Sequence, residues 1–166
     1  RGLVQFDCSS IPAGSTCTAA TMSIYNYAQA AAGAWILTAY AIASGNAAWI
    51  EGTKDGTQAG AGESCWDALA ADGSGGVTTT WAGSAGLATA TTDYNSTELG
   101  HVHGDKSDAA ATEYQIALTT SVVSRWFGAV NMNYGIKITP SAPTSGIRMS
   151  DHATAATRPK LVIDYT

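Results

Sequence analysis

Charge is scarce in this chain. Only 13 % of its 166 residues are Asp, Glu, Lys or Arg, about half the share of an ordinary soluble domain. The surface polarity must come from Thr, Ser, Asn and Gly instead. Thirteen acidic against 8 basic residues leave a net charge of −5. No cluster of Lys and Arg occurs, which argues against nucleic acid and anionic membrane surfaces as partners. Long apolar runs are missing too. Ala28–Ala43 is alanine-rich, but Gly33, Thr38 and Tyr40 interrupt it, and a bilayer span needs about 20 apolar residues. No membrane insertion is expected.

Catalytic signatures are equally scarce. The chain has no Gly-x-Ser-x-Gly elbow, no phosphate-binding loop and no His-Glu-x-x-His. Glu51, Glu63, Asp67 and Asp72 lie close in sequence. Glycoside hydrolysis, however, requires two carboxylates held roughly 5–10 Å apart across a cleft. Nothing in the spacing fixes such a pair, so no enzyme is expected. No signal peptide is recognisable and the first residue is Arg1 rather than Met. That start implies either processing or a longer parent product.

What the chain does have is short alternating apolar segments. The organising stretch is Arg1–Tyr27. In Gly2–Cys8, the positions Val4, Phe6 and Cys8 alternate with Leu3, Gln5 and Asp7. In Cys17–Tyr27, Ala20, Met22 and Ile24 alternate with Thr21, Ser23 and Tyr25. Period two is the mark of a strand with one buried face. Pro12 and Gly14 between them suit a reversal, so these segments read as a hairpin. The three cysteines make an odd count. Cys8 and Cys17 flank the turn and read either as a disulfide or as two buried thiols. Cys65 reads as a lone small hydrophobe.

Further strands are expected at Ala34–Ile42, Ala47–Glu51, Ala88–Asp93, Glu113–Leu118, Tyr134–Thr139, Gly146–Ser150 and Lys160–Tyr165. Long loops run from Gly52 to Gly86 and from Asn95 to Asp108. One short helix is expected within about 119–128, capped by Thr119-Thr120, with Val122 and Trp126 on one face. Many short strands with turn punctuation indicate an all-β fold, an antiparallel jelly-roll β-sandwich in one domain spanning residues 1–166.

The order of these segments resembles a known family. Arg1-Gly2-Leu3, Phe6-Asp7, the Ser10-Ile11-Pro12-Ala13-Gly14 turn and the Ala20-x-Met22-x-Ile24 strand are similar to the signature of DNRLRE-domain modules, also classed among carbohydrate-binding modules. Trp49-Ile50-Glu51-Gly52 matches that family's Trp-x-Glu-Gly segment, and Trp81 with Gly83–Gly86 its later Trp/Gly segment. Thr119 through Trp126 to Gly128 resembles the family's helix. Asn133-Tyr134-Gly135 and Arg158-Pro159-Lys160-Leu161 resemble its closing strands. Cys8, Cys17 and Ser150-Asp151-His152 depart from the pattern. Family members also carry strands before the Arg-x-Leu segment, which implies that this chain lacks its first strand or borrows it from a preceding segment or a neighbouring copy.

The resemblance implies an extracellular, non-catalytic module that attaches to polysaccharide. The alternative is a structural subunit, either a virion decoration or tail protein or a filament assembled by strand addition, with homo-oligomers in either case. Sugar rings stack on aromatic faces while neighbouring polar groups bond their hydroxyls. The candidates are Trp66 with Asp67, Trp81, and Tyr94 with Asp93 and Asn95. The competing reading makes Trp66 and Trp81 anchors that hold their loops to the body. Trp49, Trp126 and Tyr134 read as core, and Tyr25 with Tyr27 as a second exposed stripe. Asn95-Ser96-Thr97 forms a glycosylation sequon in a host that uses that pathway.

His101-x-His103 with Asp105 and Asp108 offers a metal-site reading, since on a strand positions i and i+2 share a face, but no Cys or third His lies near. Flanking Gly100 and Gly104 favour a solvated loop instead. No cofactor is required. A structural Ca²⁺ suits such a module, but no calcium-loop pattern names its ligands.

Overall fold

The computed structural model describes residues 1–27, 33–53, 57–105, 107–128, 131–141 and 146–166. Part of the alanine-rich stretch, residues 28–32, lies outside them. The fold is all-β with antiparallel sheets. In chain order the strands are β1 (Gly2–Val4), β2 (Cys17–Tyr25), β3 (Ala34–Ile42), β4 (Ala70–Ala71) and β5 (Val77–Thr79). They continue with β6 (Tyr94–Asp105), β7 (Glu113–Ala117), β8 (Ile136–Pro140) and β9 (Lys160–Tyr165). A short helix, α1 (Thr120–Val123), runs into a 3-10 turn at Ser124–Trp126. No described helix is long and apolar enough to cross a membrane.

One sheet has the order β1-β8-β3-β6, a second has β7-β2-β9, and β4 with β5 make a small ribbon. Trp35, Leu37 and Ala39 of β3 and Ile136 and Ile138 of β8 share a core with Met22 and Ile24 of β2 and Tyr114 and Ile116 of β7. The two larger sheets therefore bury a common interior, as the alternation in β2 requires. A second cluster of Ile42, Trp49, Leu69, Trp81 and Leu87 packs with Leu3 and Tyr134. Leu3 alternates with the core residue Val4, so this cluster covers the other face of the four-stranded sheet. The long loop after β3 is held down by its own tryptophans.

The expected hairpin between the first two strands does not form. β1 pairs only with β8, while β2 pairs with β7 and β9. The turn is present: Ile11 N–H reaches Cys8 O and Ser15 N–H reaches Pro12 O, with Gly14 at φ +87°. It carries the chain across the core from one sheet to the other. Both strands keep their apolar faces inward, which constrains facing but not partner.

β6 was expected as the polar loop Asn95–Asp108. It is instead a strand of 12 residues paired along β3. Its glycines mark close approach rather than a turn. A Cβ on Gly104 would lie 2.6 Å from Tyr114 Cε1 and 2.8 Å from Trp35 Nε1, and one on Gly100 would overlap the Ala117 carbonyl. Three expected strands are absent. Ala47–Glu51 follows a 3-10 turn at Ser44–Asn46 and is irregular. Ala88–Asp93 is a turn in which Asp93 N–H reaches Thr89 O at 2.8 Å. In Gly146–Ser150 only Ile147 makes a ladder contact, a single bridge to Asn26. The helix is where it was expected, but Thr119 makes no side-chain cap. Its N–H and hydroxyl both donate to Leu99 O, at 2.8 and 2.9 Å, and so tie the helix start to β6.

Candidate functional site

The long loop delivers Trp66 to the surface and Trp81 to the interior. Trp66 is 59 % exposed and Trp81 only 4 %. The indole Nε1 of Trp81 donates to the carbonyls of Cys65 and Trp66, at 3.0 and 3.1 Å. Trp81 is thus an anchor, and what it anchors is the backbone of its exposed neighbour.

Trp66 is held from other directions as well. Gly86 N–H donates to Trp66 O at 2.6 Å, and a Cβ on Gly86 would come within 2.7 Å of the indole. Gly86 itself has φ +66°, and its carbonyl accepts Arg1 Nη1 at 2.7 Å. The Arg1 guanidinium carbon lies over the indole, 5.1 Å from the ring centroid, a cation–π distance. A flexible surface indole would lose rotamer freedom on binding a ligand; this one is already placed. Beside it, Thr57, Gln58, Asp67, Gly75 and Gly76 line a shallow cavity of about 220 Å³. Asp67 is exposed. An apolar ring with a carboxylate and an amide close by can stack on a sugar and bond its hydroxyls.

The other sequence candidates are elsewhere. Asp93 is fully buried. Its carboxylate accepts N–H bonds from Gly83 (2.7 Å), Ser84 (3.0 Å) and Thr89 (2.8 Å), and one from Asn46 Nδ2 (3.1 Å). Burial pushes its pKa up, but bonds from Thr89, Asn46, Gly83 and Ser84 outweigh that and hold it below 3.8. Tyr94 is half-buried, with Lys137 Nζ 3.4 Å from its ring centroid and the Tyr40 ring edge-on at 5.0 Å. Asn95 is exposed; its Oδ1 accepts Thr97 N–H at 3.1 Å. It borders a different cavity of about 290 Å³ with Arg125, Met132 and Tyr134. The six residues therefore do not form one site. Only Trp66 and Asp67 are brought together at the surface.

Two features were not anticipated. Sequence spacing gave no sign that Arg1 and Gly86 support Trp66, because both are remote along the chain. The second feature is a cleft of about 500 Å³ beside Trp49-Ile50-Glu51, walled by Gln5, Asp7, Asn131 and Asn133. On its far side a further cavity of about 270 Å³ adds Arg1, Cys65 and Asp151. Burial, with Asp151 adding negative charge, raises the Glu51 carboxyl above its ordinary value, and Ser150 Oγ donates to Glu51 Oε1. Of the other loop carboxylates, Glu63 accepts from Thr53 and Gly60, and Asp72 from the N–H groups of Ser74 and Gly76. These organise backbone.

Cys8 and Cys17 are buried free thiols, and Cys65 is exposed and free. Of the two sequence readings for the first pair, the structure shows the thiols. Tyr27 is 57 % exposed, with His152 edge-on to it at 6.4 Å. Tyr25 is half-buried. No group of three or more His, Cys, Asp or Glu side chains among the described residues is arranged to hold a metal ion. Comparison of the chain with protein-family models, curated proteins and solved structures finds no match.

Proposed function

We propose that this chain is a non-catalytic, extracellular binding module that attaches to polysaccharide, with Trp66 as the stacking platform and Asp67 as its polar neighbour. The observation that carries the reading is the contrast between the two loop tryptophans. One is buried to fix the loop, and the other is more than half exposed yet held by Arg1, Gly86 and Trp81. A solvent-facing indole held in one orientation offers the apolar face on which a sugar ring stacks. The net charge of −5 disfavours polyanionic nucleic acid as the ligand. The jelly-roll sandwich of the DNRLRE-type modules is the finer architecture this reading implies.

Retention on a panel of neutral and acidic polysaccharides, by affinity electrophoresis and pull-down, tests it. Trp66→Ala should lose at least tenfold in retention while its circular dichroism stays that of the folded parent. Parent protein that binds no polysaccharide, or a Trp66→Ala variant that binds as well as the parent, would overturn it.

A second reading, assembly by strand addition, rests on a separate observation. β1 and β9 are edge strands, and between β9 and the segment after β1 runs a groove of about 320 Å³. Phe6, Ile11, Leu161, Ile163 and Tyr165 line it. Val162 and Tyr165 of β9 are 51 % and 44 % exposed. Unpaired backbone beside apolar side chains is what an added strand would cover. Concentration-dependent sedimentation of the parent that Val162→Lys abolishes would favour this structural role. A monomer at all concentrations would remove it.

A further inference from the structure

The two histidines of β6 lie on a strand where the sequence favoured a solvated loop. His101 and His103 lie on a regular strand, paired opposite Thr38 and Ile36 of β3. Alternation puts both side chains on one face of the sheet, and both are exposed. Their ring centroids are 5.4 Å apart, with planes at 84°. A metal about 2.0–2.1 Å from each imidazole nitrogen sits roughly 3.2 Å from each ring centre, so a tetrahedral angle sets the centres about 5.2 Å apart. The observed pair already has that separation.

A second observation concerns the other nitrogen. Glu98 Oε1 lies 2.8 Å from His101 Nδ1. That bond places the proton on Nδ1 and leaves Nε2 as the lone-pair donor, the arrangement in which a carboxylate orients a metal-ligating imidazole. Asp105 and Asp108, which the sequence grouped with these histidines, are engaged elsewhere. Asp105 Oδ1 accepts Ser107 N–H and Oγ–H, at 2.8 and 2.7 Å. Asp108 Oδ2 accepts the Tyr114 hydroxyl at 2.6 Å and Asp105 N–H at 3.1 Å.

We propose that His101 Nε2 and a ring nitrogen of His103 chelate a divalent transition metal of the Zn²⁺, Ni²⁺ or Cu²⁺ class on the exposed face of β6. Glu98 acts as the positioning residue. Imidazole donors select this class over Ca²⁺ and Mg²⁺, which take oxygen ligands. The chain supplies two donors, so water fills the remaining positions and the bound metal stays open to a donor from another molecule. The inference does not depend on polysaccharide binding.

Isothermal titration of the untagged full chain with ZnCl₂ tests it. The parent should take up one Zn²⁺ saturably at micromolar concentrations. His101→Ala and His103→Ala should each weaken binding at least tenfold, and His152→Ala should leave it unchanged. Glu98→Ala should weaken it several-fold, with Glu98→Gln recovering part of the loss, because Gln can still accept from Nδ1–H. In imidazole ¹⁵N spectra Zn²⁺ should shift Nε2 of His101 while Nδ1 keeps its proton. Glu98, His101 and His103 are exposed and His152 is half-buried, and circular dichroism should show every variant folded. No saturation at millimolar Zn²⁺, equal affinity in the parent and both histidine variants, or loss of binding in His152→Ala would overturn the proposal.

Discussion

Asn46 and Asp93, both fully buried, are joined by an Nδ2–Oδ1 hydrogen bond of 3.1 Å. Asn46 also donates to Asp93 O at 3.2 Å and accepts Ala82 N–H at 2.8 Å. The pair, with the three backbone donors on the Asp93 carboxylate, holds the turn at 82–93 against the 3-10 turn after β3. Exchanging one carboxylate oxygen for an amide nitrogen leaves two of the four donors buried against another donor.

Asp93→Asn should therefore cost roughly 2–4 kcal/mol in urea unfolding at neutral pH. The pH dependence follows from the lowered carboxyl pKa. The contribution is fully present above the ordinary value of 3.8, and it is lost as pH falls through the lower folded value. The gap between parent and variant should narrow below about pH 4. A gap that stays constant down to pH 2 would contradict this account.

Lys137 should act at the opposite end of the pH scale. It is 2 % exposed, and its Nζ donates to Leu87 O at 2.7 Å. Burial, with the positive charge of Arg1 adding, brings its pKa down from 10.5 to about 8 against the pull of Asp93. Between those values the unfolded chain binds more protons than the folded one, so stability rises with pH. Unfolding free energy should climb by up to about 3 kcal/mol from pH 8 to pH 10. In Lys137→Met the rise should be absent; a flat parent profile would refute the assignment.

The glycines of β6 should resist the smallest enlargement. Gly104→Ala places a methyl against Tyr114 and Trp35, and Gly100→Ala places one against the Ala117 carbonyl. Each should cost about 3 kcal/mol or lead to loss of soluble protein. Gly62→Ala is a useful comparison: its Cβ would meet nothing within 4 Å, though its φ of +82° carries a strain of its own. Denaturant melts that rank Gly62→Ala as the most damaging would argue against close packing of β6.

Thiol accounting gives an independent check on the core. Cys65 is exposed, whereas Cys8 and Cys17 are 8 % and 5 % exposed. Burial raises both buried thiols, with nearby Asp7 and Asp164 adding to the effect. An aromatic disulfide reagent should label one thiol in native protein and three in denaturant without reductant. A count of one in denaturant would mean that Cys8 and Cys17 are bonded to each other.

Much of the fold was legible. Ala34–Ile42 was expected as a strand and is one with the same ends, and Lys160–Tyr165 likewise. In β3 bulk on both faces marks a covered strand, and in β9 half-buried Leu161 and Ile163 alternate with exposed neighbours. β6 escaped detection because its inward face carries Gly100, Val102 and Gly104, and its outward face carries Glu98, His101 and His103. Neither face is continuously apolar, although neighbouring side chains press closely on it. The site was legible only in part. Trp66 and Trp81 sit in similar loop contexts, and nothing near either one distinguishes the indole that faces solvent.

Residue order alone determined that short antiparallel strands would form, which side of β2 would face inward, and where a helical turn would begin. These are properties of a few consecutive side chains and their affinity for water. Which strands pair, which glycines are pressed by neighbours, and which tryptophan remains outside were decided by tertiary packing. Each depends on residues distant along the chain, such as Arg1 with Gly86 or Asn46 with Asp93. Such contacts exist only once the sheets have closed over their interior.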